Sequence, residues 1–413
     1  MILDRLFAAS DIPSRGWSDS AGAMGSGWIS TDSGEKVDEI TAMNLSGVWL
    51  CLQIIGNDIS GMPWGVFEKS EKSRISRSDL DLDLMIGLQV NPEMDSPSFR
   101  LAMQTHALLC GNGYAEIERN YMGDPIALWI LDPFQTKPKR NDAGKLFYEV
   151  RDKKGGLREI DPANIFHLKG LSLDGLNGIS VIQNARQTIG GGFALEKAGN
   201  AFFKNGFRPS GVLEHPGELK DTAYKNLRDS LERQYSGAGN TGKPIICEEG
   251  MKWHQLSISP SDAQYLGSRE FSLAEIARWF NVKPYKLGLM DRETHTNIFQ
   301  NALEHLQHTV HPWILRWETE ARIKLFSKED RKKLYTKFNY TSLLRTDPAS
   351  RSAYYKDLSS MGVLSIDDIL ALEDMNPLDN GQGAARLVPM NMTTLERAIS
   401  GENMKKPDNK VVA

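Results

Sequence analysis

The 413-residue chain has few cysteines, no excess of positive charge, no long apolar run and none of the common catalytic signatures. Its three cysteines, Cys51, Cys110 and Cys247, lie far apart and form no CxxC pair or Cys/His cluster. That spacing argues against a zinc site or a disulfide framework and points to a reducing compartment. Lys and Arg number 49 against 53 Asp and Glu, for a net charge of −4. With a pI near 6.1, the chain has no global basic field, which excludes a dedicated reader of DNA sequence but not a protein that encloses DNA. No window approaches about 18 uninterrupted apolar residues, so no membrane span is expected. The opening MILDRLFAAS lacks a basic stretch and a long apolar run, so it does not read as a signal peptide. GxxxxGK(S/T), HExxH and GxSxG are all missing, and the one GxGxxG match, Gly237–Gly242, reads as a flexible link between elements, which leaves no catalytic residue, cofactor or metal to expect.

What is present is an ordinary soluble composition, 40% hydrophobic and 25% charged, long enough for two or three packed regions. Residues 10–35 are rich in Ser, Gly and Asp and read as a flexible arm. Trp17 and Trp28 stand out in it, through chance exposure or by docking on a neighbouring subunit. Helical spacing predicts a helix over residues 40–60, stopped by Gly61-Met62-Pro63, then a strand from Trp64. Ser96 is read as the cap of a second helix ending at Gly111. Alternation predicts strands over 114–118, 126–131, 147–150, 157–160 and 165–168. Together these make a mixed α+β region.

Residues 178–205 carry a helical stripe through Ile179, Ile182, Ile189 and Phe193, with Gly190-Gly191-Gly192 in its middle. Three helix-interior glycines cost about 1 kcal/mol each relative to alanine, so a closely packed neighbouring helix or a bend is expected. Residues 219–235 predict a short amphipathic helix, and 245–247 and 253–258 two strands. A longer helix runs from Asp262 to Phe280, its apolar face Leu266, Leu273, Ile276, Ala277 and Phe280, with Pro284 as the stop and Gly288 as a turn. A polar loop over 290–297 leads into a helix over 298–326, which Pro312 is expected to kink. A strand over 337–343, a helix from Asp347-Pro348 and a short helix capped by Ser365 complete the pattern; the tail from Gly401 is polar and expected to be disordered.

Two features invite chemistry. His305 and His308 stand at i and i+3 with His295 and His311 nearby, a spacing that suits either a shared metal or, preferably, a solvated or interface face. Asp174 to Gly178 precedes a helix start and is either an anion-binding loop or, preferably, a plain turn.

Several blocks together resemble one family. They are Gly178-Ile179-Ser180-Val181-Ile182, Phe203-Lys204-Asn205-Gly206, Pro209-Ser210-Gly211-Val212-Leu213, Asp262-Ala263-Gln264, Glu275-Ile276-Ala277-Arg278, Phe280-Asn281-Val282-Lys283-Pro284 and Leu287-Gly288. Asn339-Tyr340, Asp347, Arg351, Tyr354-Tyr355, Gly362, Asp367 and Pro377 follow in the same order. Their order and spacing resemble the portal proteins of tailed double-stranded-DNA bacteriophages, of the long-tailed type. Lys283 departs from the pattern, which often carries a second proline there.

The resemblance implies a ring of (usually) twelve subunits at one capsid vertex, with an α/β wing, helical stem, small α/β clip and helical C-terminal crown. On this chain it implies an arm at 1–36, wing at 37–177, stem helices at 178–205 and 261–281, and a clip at 206–260. Tunnel loop and second wing part follow at 282–346, then a crown at 347–400 and a tail at 401–413. It implies DNA-channel residues Arg292, His295 and Asn297 on the loop and Lys197 and Lys204 on the stem, and a basic docking face of Lys220, Lys225, Arg228 and Arg233. The implied partners are double-stranded DNA without sequence preference, the terminase large subunit, a head-completion adaptor, and the major capsid and scaffold proteins. The implied location is the virion, with assembly in the host cytoplasm. Two rival readings remain at this point: an enzyme using Asp174 to Gly178 for an anionic substrate, and a ring-forming scaffold without a DNA channel.

Overall fold

A computed structural model describes residues 31–70, 74–152, 155–204, 211–217, 220–235, 247, 250–255, 262–289, 295–340, 348–373 and 375–386. It divides into two units, Met1–Tyr340 and Thr341–Ala413.

In the first unit a 3-10 turn, Thr41–Asn44, precedes helix α1, Ser46–Gly61. The helix thus begins six residues later than the spacing suggests, because Leu45 is extended (φ −84°, ψ 121°) and starts a new hydrogen-bonded run. Strands β1 (Trp64–Lys69) and β2 (Arg74–Ser76), helix α2 (Asp81–Gly87) and strands β3 (Gln89–Asn91) and β4 (Met94–Asp95) follow. Helix α3, Ser96–Cys110, is capped by Asp95 rather than Ser96: the Asp95 carboxylate accepts from Ser98 N at 2.7 Å. Strands β5 (Asn112–Arg119), β6 (Pro125–Leu131), β7 (Thr136–Arg140), β8 (Leu146–Arg151), β9 (Leu157–Ile160) and β10 (Ile165–Lys169) come next. The expected long helix at 178–205 is two helices, α4 (Val181–Asn184) and α5 (Arg186–Lys204). Ser180 caps the first, accepting from Gln183 N at 3.1 Å. Strand β11 (Gly211–Glu214), helix α6 (Asp221–Tyr235), strand β12 (Lys252–Gln255) and helix α7 (Asp262–Trp279) lead to α8 (His295–His305), a π-helical segment (Leu306–Val310), α9 (His311–Lys324) and β13 (Leu334–Phe338). That last strand lies earlier than expected; residues 341–343 lie outside the described residues, as do 245 and 246.

The sheets are antiparallel and small: β13-β1-β2, β10-β5-β6 and β7-β8-β9 with three strands each, and the pairs β11-β12 and β3-β4. The main core packs Val48, Leu52 and Ile55 of α1 against Leu108 and Leu109 of α3, Ile182 and Ile189 of α4 and α5, and Ile276, Phe280 and Val282 at the end of α7. A second layer is aromatic: Trp64 stacks on Phe338 at 5.0 Å, and Trp317 meets Trp64, Phe99 and Phe166 within 6.1 Å. The indole N–H of Trp317 donates to Gln104 Oε1 at 3.0 Å, which satisfies its one polar group inside the core.

One close backbone crossing fixes where α4 starts. A Cβ built on Gly178 would lie 1.8 Å from Gly111 O, and Gly111 itself has φ +80°. Only glycines allow this approach. Asn112 locks it, with Oδ1 accepting from Gly178 N at 2.7 Å and Nδ2 donating to Gly178 O at 2.9 Å.

Residues 31–36, expected within the arm, pack against α5. Thr31 is 4% exposed, Asp32 N donates to Gln187 Oε1 at 3.0 Å, and Glu35 pairs with Lys197 at 2.6 Å. In the second unit, α10 (Pro348–Ser360) is followed by α11 (Ile366–Leu372). Ser365 and Asp368 form the capping box of α11, and Arg351 and Tyr355 of α10 both reach Glu373.

Candidate functional site

The site is the junction where α7 ends and packs against the start of the following helices, and it is built by an asparagine rather than by the proline the sequence suggests. Asn281 has φ 55°, and is the one non-glycine with positive φ among the described residues. Val282 N bonds Ala277 O at 2.9 Å and Asn281 N bonds Arg278 O at 3.1 Å. This is a Schellman closure with Asn281 in the left-handed position, and it ends α7 three residues before Pro284. Pro284 instead opens a 3-10 turn, Pro284–Leu287, closed by Gly288 at φ 78°.

Across from this turn, Pro312 sits in the first turn of α9. It has no N–H to offer the carbonyl four residues back, His308 O. Asn281 supplies the missing donor: its Nδ2 reaches His308 O at 2.7 Å. Thr309 Oγ1 in turn donates to Asn281 O at 2.5 Å. The expected proline kink is therefore a π-helical segment with an external cap, the usual way a helix absorbs one unsatisfied carbonyl. Two further contacts continue the seam: Lys283 Nζ to Glu304 Oε1 at 2.5 Å and Tyr285 OH to Asn301 O at 3.0 Å. Residues 281, 283 and 285 thus pair in antiparallel order with 308–309, 304 and 301. The Lys283 ammonium holds the Glu304 carboxyl below its ordinary range. Lys283, the departure from the family pattern, is one of the residues of this clamp.

The clamp ties residues 281–285 to residues 301–309 across the intervening chain. Arg292 lies outside the described residues. His295 and Asn297 are not in a loop: they form the first turn of α8. No breaker separates them from the apolar stripe that begins at Phe299, so the helix extends one polar turn earlier.

The remaining residues of interest are scattered. Lys197, on α5, is tied to Glu35, and Lys204 closes the same helix. Lys220, Lys225 and Arg228 are exposed at and on α6, and Arg233 lies on its last turn. The histidines do not converge. His305 is 3% exposed and its Nε2 meets Asp58 Oδ2 at 2.8 Å, while His308 and His311 face solvent. The π-helical segment, Leu306–Val310, starts directly after His305 and contains His308, and it changes the register that would have put the two on one face. Among the described residues no group of three or more His, Cys, Asp or Glu could hold a metal ion, and no helix is long and apolar enough to cross a membrane.

The Asp174 loop is a turn that already contains its anion. Asp174 Oδ1 accepts from Leu176 N and Asn177 N at 2.7 Å and from Ser172 Oγ at 3.0 Å, and Oδ2 accepts from Asn177 Nδ2 at 2.9 Å. These donors hold its carboxyl far below the ordinary carboxylate range. An added anion would meet a filled site and a negative charge, which removes the enzyme reading based on this loop.

The two long helices α5 and α7 run antiparallel. Trp279 Nε1 donates to Thr188 Oγ1 at 3.2 Å near one end, and Gly192 faces Ser272 nearer the middle. Of the three glycines, Gly190 is pressed by Thr31 and Gly192 by Leu45 and Ser272, with Cβ contacts of 2.6 and 2.9 Å. Gly191 faces open space.

A family model described as phage portal protein matches residues 46–374. The portal protein of Enterobacteria phage HK97 is 29% identical over 355 residues, covering 85% of this chain and 83% of its own length. An HK97-family phage portal protein from Corynebacterium diphtheriae shares the fold with a TM-score of 0.56 at 14% identity, over 76% of this chain and all of its own. A chain in the neck of a native GTA particle, computed with C12 symmetry, superimposes with a TM-score of 0.55 at 22% identity, covering 83% of this chain and 94% of that one.

Proposed function

Because the chain belongs to the phage portal protein family, we propose that it acts as a ring-forming head–tail connector at one capsid vertex, with a central channel for DNA packaging and ejection. The match spanning residues 46–374 carries this reading, and a relative in a C12-symmetric neck supports a count of twelve subunits. In this reading residues 37–177 and 282–346 form the wing, α5 and α7 the stem, 206–260 the clip and 347–400 the crown. The segment 290–294, between the two halves of the Asn281 clamp in the chain, is the part presented to DNA.

The electrostatics suit a conduit. Each phosphate neutralised by Lys or Arg releases counterions and adds binding free energy that resists sliding. A chain of net charge −4 supplies few such contacts. Lys197, already paired with Glu35, offers DNA less than a free lysine would, so Arg292 is the stronger candidate among the channel residues. The exposed cations of the clip, Lys220, Lys225 and Arg228, form the docking face for the packaging motor and later for a head-completion adaptor. ATP hydrolysis belongs to that separate motor, and assembly takes place in the host cytoplasm. A packaging assay tests both assignments. Arg292→Ala with His295→Ala lowers DNA packaging while rings stay intact, and Lys225→Glu with Arg228→Glu lowers motor recruitment. Packaging at the parental level in the first variant removes the loop from the channel; unchanged recruitment in the second removes the docking face.

A further inference from the structure

Between α5 and α7 lies an open groove of about 670 Å³, floored by Gly191 and Gly267 and walled by Thr188, Leu195, Phe271 and Glu275. A Cβ on either floor glycine meets nothing within 4 Å. Packing of the described residues therefore requires neither glycine, although each weakens its helix relative to alanine. Phe271, at the rim, is 57% exposed.

The chain enters beside this groove. Thr31, the first described residue, packs on Gly190. The next residue's amide donates to Gln187, which itself lines the groove one helical turn before Gly191. Residues 24–30 read MGSGWIS. Trp28 stands three residues before Thr31, within about 10 Å of chain. An indole brings a flat apolar body and a single N–H donor. The groove offers Leu195 and Phe271 to the body and the Glu275 carboxylate to the donor. A group tethered this closely also has an effective concentration that a neighbouring subunit's arm does not match.

We propose that residues 24–30 fold back along the α5–α7 groove of their own chain and seat Trp28 over Gly191 and Gly267. The arm then straps the two helices together, and a neighbouring subunit meets the strapped face rather than bare helix. The reading rests on the geometry of one chain and stands or falls separately from the ring.

Cysteine trapping in the full-length chain tests it. Ser26→Cys and Ser268→Cys are introduced together with Cys247→Ser, and the assembled protein is mildly oxidised and resolved without reductant. The expected product is an intrachain disulfide, identified by peptide mass. Trp28→Ala in the same background lowers its yield about tenfold, the effect of losing roughly 1.4 kcal/mol of docking. Gly191→Leu, which fills the groove from within, lowers it likewise, while the circular dichroism of both variants matches the parent. Interchain products overturn the proposal by assigning the groove to another copy's arm. No disulfide, or a yield indifferent to Trp28→Ala, overturns it outright.

Discussion

Asn281 carries the clamp, and its replacement separates two contributions that the structure superimposes. The residue occupies the left-handed region at φ 55° and donates to His308 O at 2.7 Å. Asn281→Gly keeps the backbone conformation and removes only the side-chain bond, a net loss of about 0.5–1.5 kcal/mol. Asn281→Ala removes the bond and also the short polar side chain that lets asparagine occupy the left-handed region, adding about 1–2 kcal/mol relative to glycine, which has no β-carbon. The sum for alanine is roughly 1.5–3.5 kcal/mol, all of it local to the end of α7 and the π-helical segment. Asn281→Asp keeps the conformation but sets a carboxylate against a carbonyl, so it falls below glycine. Hydrogen exchange read by mass spectrometry on peptides covering 277–283 and 305–312 measures this directly. Local opening becomes about tenfold to several hundredfold faster in the alanine variant, and about twofold to tenfold faster in glycine. Equal exchange in the two variants, or glycine faster than alanine, would refute the reasoning.

Further tests address the fold. Gly178→Ala places a β-carbon 1.8 Å from Gly111 O, a backbone atom with no rotamer to escape into; it costs at least about 3 kcal/mol, seen as loss of soluble protein or a lowered denaturation midpoint, and parental stability would contradict the crossing. His167 is buried between Tyr148 OH at its Nδ1 and Asn112 Oδ1 at its Nε2. Because Asn112 Oδ1 only accepts, the proton sits on Nε2, and Tyr148 donates to Nδ1. Burial, reinforced by Lys169 and Lys324, keeps its pKa well below the ordinary value of 6.5. Below pH 6.5 the unfolded chain takes up this proton and the folded chain does not, so the stability present above that pH is lost as pH falls, by up to about 1.4 kcal/mol per unit. His167→Gln flattens the stability profile between pH 7.5 and 5.5; superimposable profiles would sink this assignment.

Local pattern was enough wherever local forces decide the outcome. Strand β9 lies over the residues its alternation suggests, and α6, α7 and α10 begin within two residues of their polar starts. The short strand β7, TKPKR, has no apolar alternation to read and exists because β8 pairs with it. The end of α7 was misread for a different reason. Pro284 is the conspicuous breaker, but Asn281 stops the helix first, stabilised by a carbonyl that Pro312 frees 31 residues later in the chain. The same nonlocal pairing turned an expected kink into a π-helical segment and separated the histidines. Gly190 and Gly192 were legible as sites of close approach, whereas nothing in the sequence distinguishes them from Gly191. Of the channel residues, Lys197 loses much of its promise to Glu35, a partner that residues 31–36 bring in from what read as a free arm.

The central claim is a closed ring with a channel. Electron-microscope images of the purified full-length protein, averaged without imposed symmetry, test it most directly. The expected particle is a closed ring of (about) twelve subunits around a central opening wide enough for duplex DNA, roughly 20 Å. Particles that stay monomeric under all assembly conditions, or close without an opening, would contradict the account.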